Sequence, residues 1–184
     1  EILIYSPPRQ LMPNNPRFVK SLVTQSIKIS LLTNGLSVFL VNEIHLKLRL
    51  ATELAAIYGQ RVLLEELPVS NNQILCSSYD WWINNLSLTL TPKQIILPLL
   101  PIPSMGEPIN QLTVSFLKRQ SKNWFREFLL PDTFHAIEKA ISPLRKNSGK
   151  LLILDGRINN RKWGREILSM IQPQKEISYM LPFE

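Results

Sequence analysis

The runs "ILIY" (2–5), "LSVFLV" (36–41), "QILCSS" (73–78), "QIILPLL" (94–100) and "LLIL" (151–154) are apolar without strict alternation. That feature limits the fold more than any other. A strand with one wet face alternates apolar and polar residues; a strand covered on both faces does not. Helices must therefore lie on both sides of the sheet that these runs form. The segments between them carry the helical repeat that such a cover needs. Phe18, Leu22 and Ile29 fall on one face of a helix that opens at Asn15-Pro16 and ends before Gly35. Leu46, Leu50, Leu54 and Ile57 recur in a second helix, which Asn42 can cap and Gly59 stops. More helix is expected near 108–118, 122–129, 132–141 and 160–171, with "RVLLE" (61–65) and "ISYML" (177–181) as further strands. The order predicts a three-layer α/β domain with a mainly parallel sheet.

The chain has 184 residues, which suits one domain spanning 1–184. Its start, "EILIYSPPRQ", lacks an initiator Met and a leader pattern, so it reads as a piece of a longer protein. No apolar run approaches the ~18 residues that cross a bilayer, and no membrane partner is expected. The one cysteine, Cys76, sits among apolar residues and reads as a buried small hydrophobe; a cytoplasmic setting is expected. His45 and His135 have no metal-site spacing, so no metal ligand is assigned.

The net charge is +7 and it is uneven. Eight basic residues fall between Lys139 and Arg165 alone. A polyanionic partner explains such asymmetry, and so does a merely solvated face. "LKRQSKNWFR" (117–126) interleaves Lys118, Arg119, Lys122 and Arg126 with Trp124 and Phe125. Cations there can meet phosphates, while the aromatics fit an amphipathic helix's core side with Phe128 and Leu129. Trp81 and Trp82 are adjacent, about 100° apart on a helix, so one belongs in the core and the other at a cleft. The pattern does not decide which; Trp82 is grouped with the nucleic-acid contacts.

Several signatures are missing. The phosphate loop G-x-x-x-x-G-K-[ST] is absent, since the one Gly-Lys pair, Gly149-Lys150, has neither the preceding glycine nor the following hydroxyl. No closely spaced acids suit magnesium. The domain alone is not expected to hydrolyse a nucleotide. Asp155-Gly156-Arg157 follows a buried run and should lie at the carboxyl edge of the sheet, where ligands of open parallel sheets gather.

Five segments in order carry a resemblance. "YSPPRQLMPNNPRF" is similar to an entry strand and loop, and "NGLSVFLVNEIHLKLRLATEL" to the strand and helix that follow. "ILCSSYDWWINN" resembles the motif small-S-F-W-E-G-V-D, and "IILPLLPIPSMGEP" the strand with "LPF…P…P". "LLPDTFHAIEKAISPLRKNSGKLLILDGRINNRKWG" resembles the last motif, Q-x-x-G-R-x-I-R, with its trailing L-D-x-R…Y-G. Together they resemble the second, RecA-like motor domain of DinG/XPD-type DNA helicases of superfamily 2, over nearly the whole chain. The suggested match within them is a cyanobacterial DinG-like branch.

The resemblance implies a RecA-like domain without its own phosphate loop. It implies ATP and Mg²⁺ bound mainly by an N-terminal motor domain of the same chain, and single-stranded or forked DNA as substrate. It places Arg145 as the arginine that reaches the γ-phosphate, with Glu138, Ser142 and Asn85 around the nucleotide cleft. Glu138 stands where Gln is expected, Ile141 at the glycine, Ser142 at the first arginine, and Pro143 breaks the helix. In the tryptophan motif, Ile83 and Asn84, or Trp82 and Ile83, replace the acid and glycine; Asn85 is the nearest stand-in for the final Asp. Asp155 and Arg157 would tie a strand end to neighbouring loops. These departures leave two expectations: a motor domain of an ATP-dependent helicase, or a helicase-derived nucleic-acid-binding module without ATP hydrolysis. A third is an α/β interaction domain with an incidental basic face.

Overall fold

The computed structural model describes residues 1–178. Its seven strands form one sheet: β1 (Ile2–Tyr5), β2 (Ser37–Leu40), β3 (Val62–Leu64), β4 (Ile74–Ser77), β5 (Gln94–Leu97), β6 (Lys150–Ile153) and β7 (Gln174–Ile177). Every pairing is parallel, in the spatial order β3-β4-β2-β5-β6-β1-β7. Parallel neighbours need long crossovers. The helices that serve them are α1 (Phe18–Leu31), α2 (Ile44–Tyr58), α3 (Tyr79–Asn84), α4 (Pro108–Arg119), α5 (Leu130–Ile141), α6 (Arg157–Asn160) and α7 (Lys162–Met170). The expected three-layer α/β domain forms, an arrangement consistent with a RecA-like domain.

The apolar runs fail to alternate because the central strands feed two cores. Val38, Leu40, Ile95, Leu97, Leu151 and Ile153 pack on one face with Trp82, Ile137, Ile141 and Leu168. Phe39, Cys76, Ile96 and Leu152 turn to the other, against Phe18, Leu22, Leu50 and Leu54. Strands β2, β4, β5 and β6 are buried at every position. Cys76 lies inside the second core, and burial pushes its thiol up to about 12, against a smaller opposing effect of Lys47. It is a packing residue.

Some local expectations need correction. Glu43, not Asn42, caps α2, its carboxylate accepting from the backbone N–H groups of His45 and Leu46. A two-oxygen acceptor meets both orphan donors at once. Ile57 is exposed, because α2 buries only Leu46, Leu50, Ala51 and Leu54. The last strand of the described residues is Gln174–Ile177, earlier than "ISYML"; Tyr179, Met180 and Leu181 lie outside the described residues. Within 122–129 a single π-helical turn, Phe125–Leu129, runs straight into α5. Pro143 does end α5, and a 3₁₀ turn, Ser142–Arg145, follows.

Candidate functional site

The carboxyl ends of the strands are laced together by side chains. After β3, Glu65 accepts from Lys47 Nζ at 2.8 Å and from Ser78 N at 3.1 Å. After β2, Asn42 Oδ1 accepts from Tyr79 N at 3.0 Å. Tyr79, at the head of α3, donates its hydroxyl to Leu99 O at 3.1 Å, beyond the end of β5. Leu100 N donates to Asp155 Oδ2 at 2.9 Å, beyond the end of β6. Arg157 closes the chain with its Nε at 3.0 Å and backbone N at 3.0 Å from Asp155 Oδ1, and its Nη2 at 2.6 Å from Oδ2. Gly156 is required there: a Cβ would collide with the carbonyl oxygens of Gln10 and Leu11.

This lacing decides what the edge can do. The crossovers from β2 and β5 leave in opposite directions, towards β3 and β6, so the crevice between them is the usual ligand position in an open sheet. Tyr79 spans it and is fully enclosed. Burial, and then the neighbouring Asp155, hold its hydroxyl well above the ordinary tyrosine range, so it stays a neutral donor. Asp155 has no exposed surface and no free approach for a proton-transfer partner. It is a joint, as its place after β6 implies.

The cleft residues expected from the sequence gather elsewhere, around the C-terminal end of α5. Arg145 Nη2 lies 2.9 and 3.0 Å from the two carboxylate oxygens of Glu138. Its Nη1 is enclosed and has no hydrogen-bond partner among the described residues. Ser142 Oγ donates back to Lys139 O at 2.9 Å. Helix α3 docks onto the same turn: Trp82 Nε1 donates to Ala140 O at 2.8 Å. Asn85 ends α3 by donating Nδ2 to Trp81 O at 2.7 Å. Trp82 is therefore a core residue, fully buried, and its grouping with nucleic-acid contacts is corrected. Its indole joins two helices and cannot stack on a base. Trp81 is the partly exposed member of the pair.

The basic segment forms a separate surface. Lys118 Nζ stands 5.4 Å over the Trp124 ring, and Lys122 and Arg119 are exposed. Trp124 meets Phe125 edge-on at 6.4 Å, and Phe125 meets Trp163 of α7 at 5.5 Å. Arg126 forks onto Glu166 of α7 at 2.8 and 2.9 Å, which holds the Glu166 carboxyl below its usual range. Of the four cations grouped by sequence, Arg126 alone is thus committed to a carboxylate in the described structure. Its partner lies 40 residues away, where no local pattern could reveal it. Tyr79 was likewise missed, because a tyrosine after a strand carries no signal of spanning two loops.

No family model matches the chain, and no curated protein matches it.

Proposed function

We propose that this chain is the second motor domain of an ATP-dependent DNA helicase of the DinG/XPD type. It closes over a nucleotide held mainly by a preceding motor domain and contacts single-stranded DNA. The observation that supports the reading best is the α3–α5 seam. The two segments that resemble nucleotide-cleft motifs, residues 74–85 and 138–145, meet directly through Trp82 and Ala140. Arg145 has the chemistry for a phosphate oxygen: Nη2 rests on Glu138, and Nη1 has no hydrogen-bond partner among the described residues, although it is enclosed and a phosphate would reach it only once uncovered. Its stem emerges from the 3₁₀ turn Ser142–Arg145, and the two contacts with Glu138 set the position of the cation. No group of His, Cys, Asp or Glu among the described residues is placed to hold a metal ion, so no step is assigned here to magnesium.

The role of Arg145 is to stabilise charge that develops on the transferred phosphoryl group, as arginine fingers do. In the intact protein, Arg145→Ala should lower ATP turnover by roughly 10³–10⁵-fold, with DNA affinity little changed. Arg145→Lys should not restore it, because an ammonium lacks the planar fork. Unchanged turnover in Arg145→Ala would remove Arg145 from the cleft and point to Lys146, Lys150 or Arg157. On the basic surface, replacing Lys118, Arg119 and Lys122 together by Ala should flatten the salt dependence of single-stranded DNA binding. The expected change in log K against log salt is about 0.7 per lost contact.

A second reading, a nucleic-acid module without ATP hydrolysis, is favoured by one observation. Glu138 already neutralises Arg145 within the chain. If the intact protein has no ATPase, this second reading holds; if Glu138→Gln raises turnover, the carboxylate is a restraint on a working finger.

A further inference from the structure

The turn after α4 brings the basic segment back onto one aromatic ring. Ser121 takes a positive φ of 55°, and the backbone N–H groups of Ser121 and Lys122 donate to Lys118 O and Leu117 O, both at 3.0 Å. A helix end of this kind reverses the chain within a few residues. Asn123 then opens the next segment. Its Oδ1 accepts from Arg126 N at 3.2 Å and its carbonyl from Glu127 N at 2.8 Å. Trp124 thereby returns beside the last turn of α4, under Lys118 Nζ at 5.4 Å.

The aromatic residues of this surface differ in what they rest on. Phe125 and Trp163 lean on the core that holds Trp82. Trp124 belongs to neither core and meets Phe125 edge-on. It is partly exposed, and a cation stands over its ring. No acid occurs from Pro108 to Arg126, while Lys118, Arg119, Lys122 and Arg126 all do. Arg126 is committed to Glu166, but Arg119 and Lys122 are exposed. A flat ring with a cationic rim suits a single nucleic-acid strand: the rim meets phosphates and the ring meets the face of a base. A duplex keeps those faces stacked on one another. An acidic peptide would satisfy the rim and leave the ring unused.

We propose that Trp124 is a stacking platform for one unpaired base, which makes this surface a site for single strands and not for duplex. The inference rests on the reading that the basic surface contacts nucleic acid. It adds a contribution that Lys118, Arg119 and Lys122 cannot supply, one that depends on the base and not on the phosphate. Where the base takes the side of the ring that Lys118 covers, the exchange still favours it. A cation over an exposed ring strengthens a contact about 2- to 5-fold, and a stacked base about 5- to 150-fold. The displaced ammonium, on its flexible stem, can turn to a phosphate of the same strand.

The test compares two labelled strands of about 12 nucleotides, oligothymidylate and the same backbone with abasic sites, equal in charge. Fluorescence anisotropy with the 184-residue chain should show the thymidylate strand binding more tightly, by about 5- to 150-fold. Trp124→Ala should bring that ratio close to one and leave the slope of log K against log salt unchanged, because no phosphate contact is lost. Trp124→Phe keeps a ring and should retain most of the preference, which separates stacking from any loss of folding in the Ala variant. A ratio near one in the parent would overturn the proposal and leave phosphate contact standing. A ratio that persists in Trp124→Ala would also overturn it and place base contact elsewhere, with Trp81 the next residue to replace. If neither strand binds, nucleic-acid contact itself fails, and the proposal with it.

Discussion

Two arginine–carboxylate pairs sit in this domain, and they differ in what is left over. In Asp155–Arg157 the carboxylate is saturated: it takes two backbone N–H groups and the arginine's Nε and Nη2, with no exposed surface of its own. In Glu138–Arg145 both side chains are about a quarter exposed, Nη2 serves both oxygens, and the enclosed Nη1 has no partner among the described residues. A carboxylate saturated in this way fastens structure. The second pair leaves a donor unsatisfied but enclosed, so a ligand can use it only if Glu138 or its neighbours give way.

The sharpest way to break this comparison is to remove one member of each pair. Asp155→Ala should cost about 3–5 kcal/mol, because it leaves the backbone N–H groups of Arg157 and Leu100 without their acceptor and the half-buried Arg157 cation without its counter-charge. Denaturant unfolding of this variant should show the fall directly. Arg145→Ala should cost under about 1 kcal/mol by the same measurement, since the pair it breaks is partly solvated. If the two losses are equal, Glu138–Arg145 is also a fastener and the functional reading of Arg145 loses its main support.

What could be read from the sequence follows the same division. The sheet was legible because burial on two faces writes itself as uninterrupted apolar runs, and β2, β4, β5 and β6 lie where such runs occur. The helix ends were legible at Gly59 and Pro143, where backbone chemistry is local. Asn42 was misread because a cap and a cross-loop acceptor use the same side-chain oxygen, and only the fold shows that Tyr79 N takes it. Trp82 was misplaced because adjacent tryptophans are indistinguishable until the helix is docked on α5. Glu138 and Arg145 were named for their positions in a motif, but their ion pair across the break at Pro143 depends on the 3₁₀ turn. The Arg126–Glu166 fork had no signal in the sequence at all.

Trp82 offers a finer cut, because it fastens α3 to the turn that precedes Arg145. Trp82→Phe keeps a large ring but loses the bond to Ala140 O, and should cost about 1–2 kcal/mol, a fall in Tm of roughly 2–8 °C for a domain of this size. If α3 merely covers the sheet, any effect of this variant on ATP turnover in the intact protein should match its loss of folded protein. If the seam positions the cleft, turnover should fall further than stability accounts for.

The smallest expected effect belongs to Glu65, a third acid at the same edge as Asp155 but partly exposed. It joins β3 to the head of α3 through Ser78 N and to α2 through Lys47. The Lys47 hydrogen bond, foremost, holds its carboxyl below the ordinary value of 4.5, against a smaller effect of burial. A carboxyl lowered by folding adds stability that is fully present above its unfolded value and is lost as the pH falls through its folded value. Glu65→Gln should therefore be less stable than the parent at neutral pH, by no more than about 1 kcal/mol. The gap should narrow as the pH drops below 4.5, because the parent then loses the same charge. Thermal unfolding of both proteins across that range measures the gap. A gap that stays constant into acid would mean that Glu65 acts through shape and neutral hydrogen bonding, and that exposure does not separate it from Asp155. A closing gap would put Glu65 between the two arginine pairs: a fastener by position, yet dependent on a charge that solvent can reach.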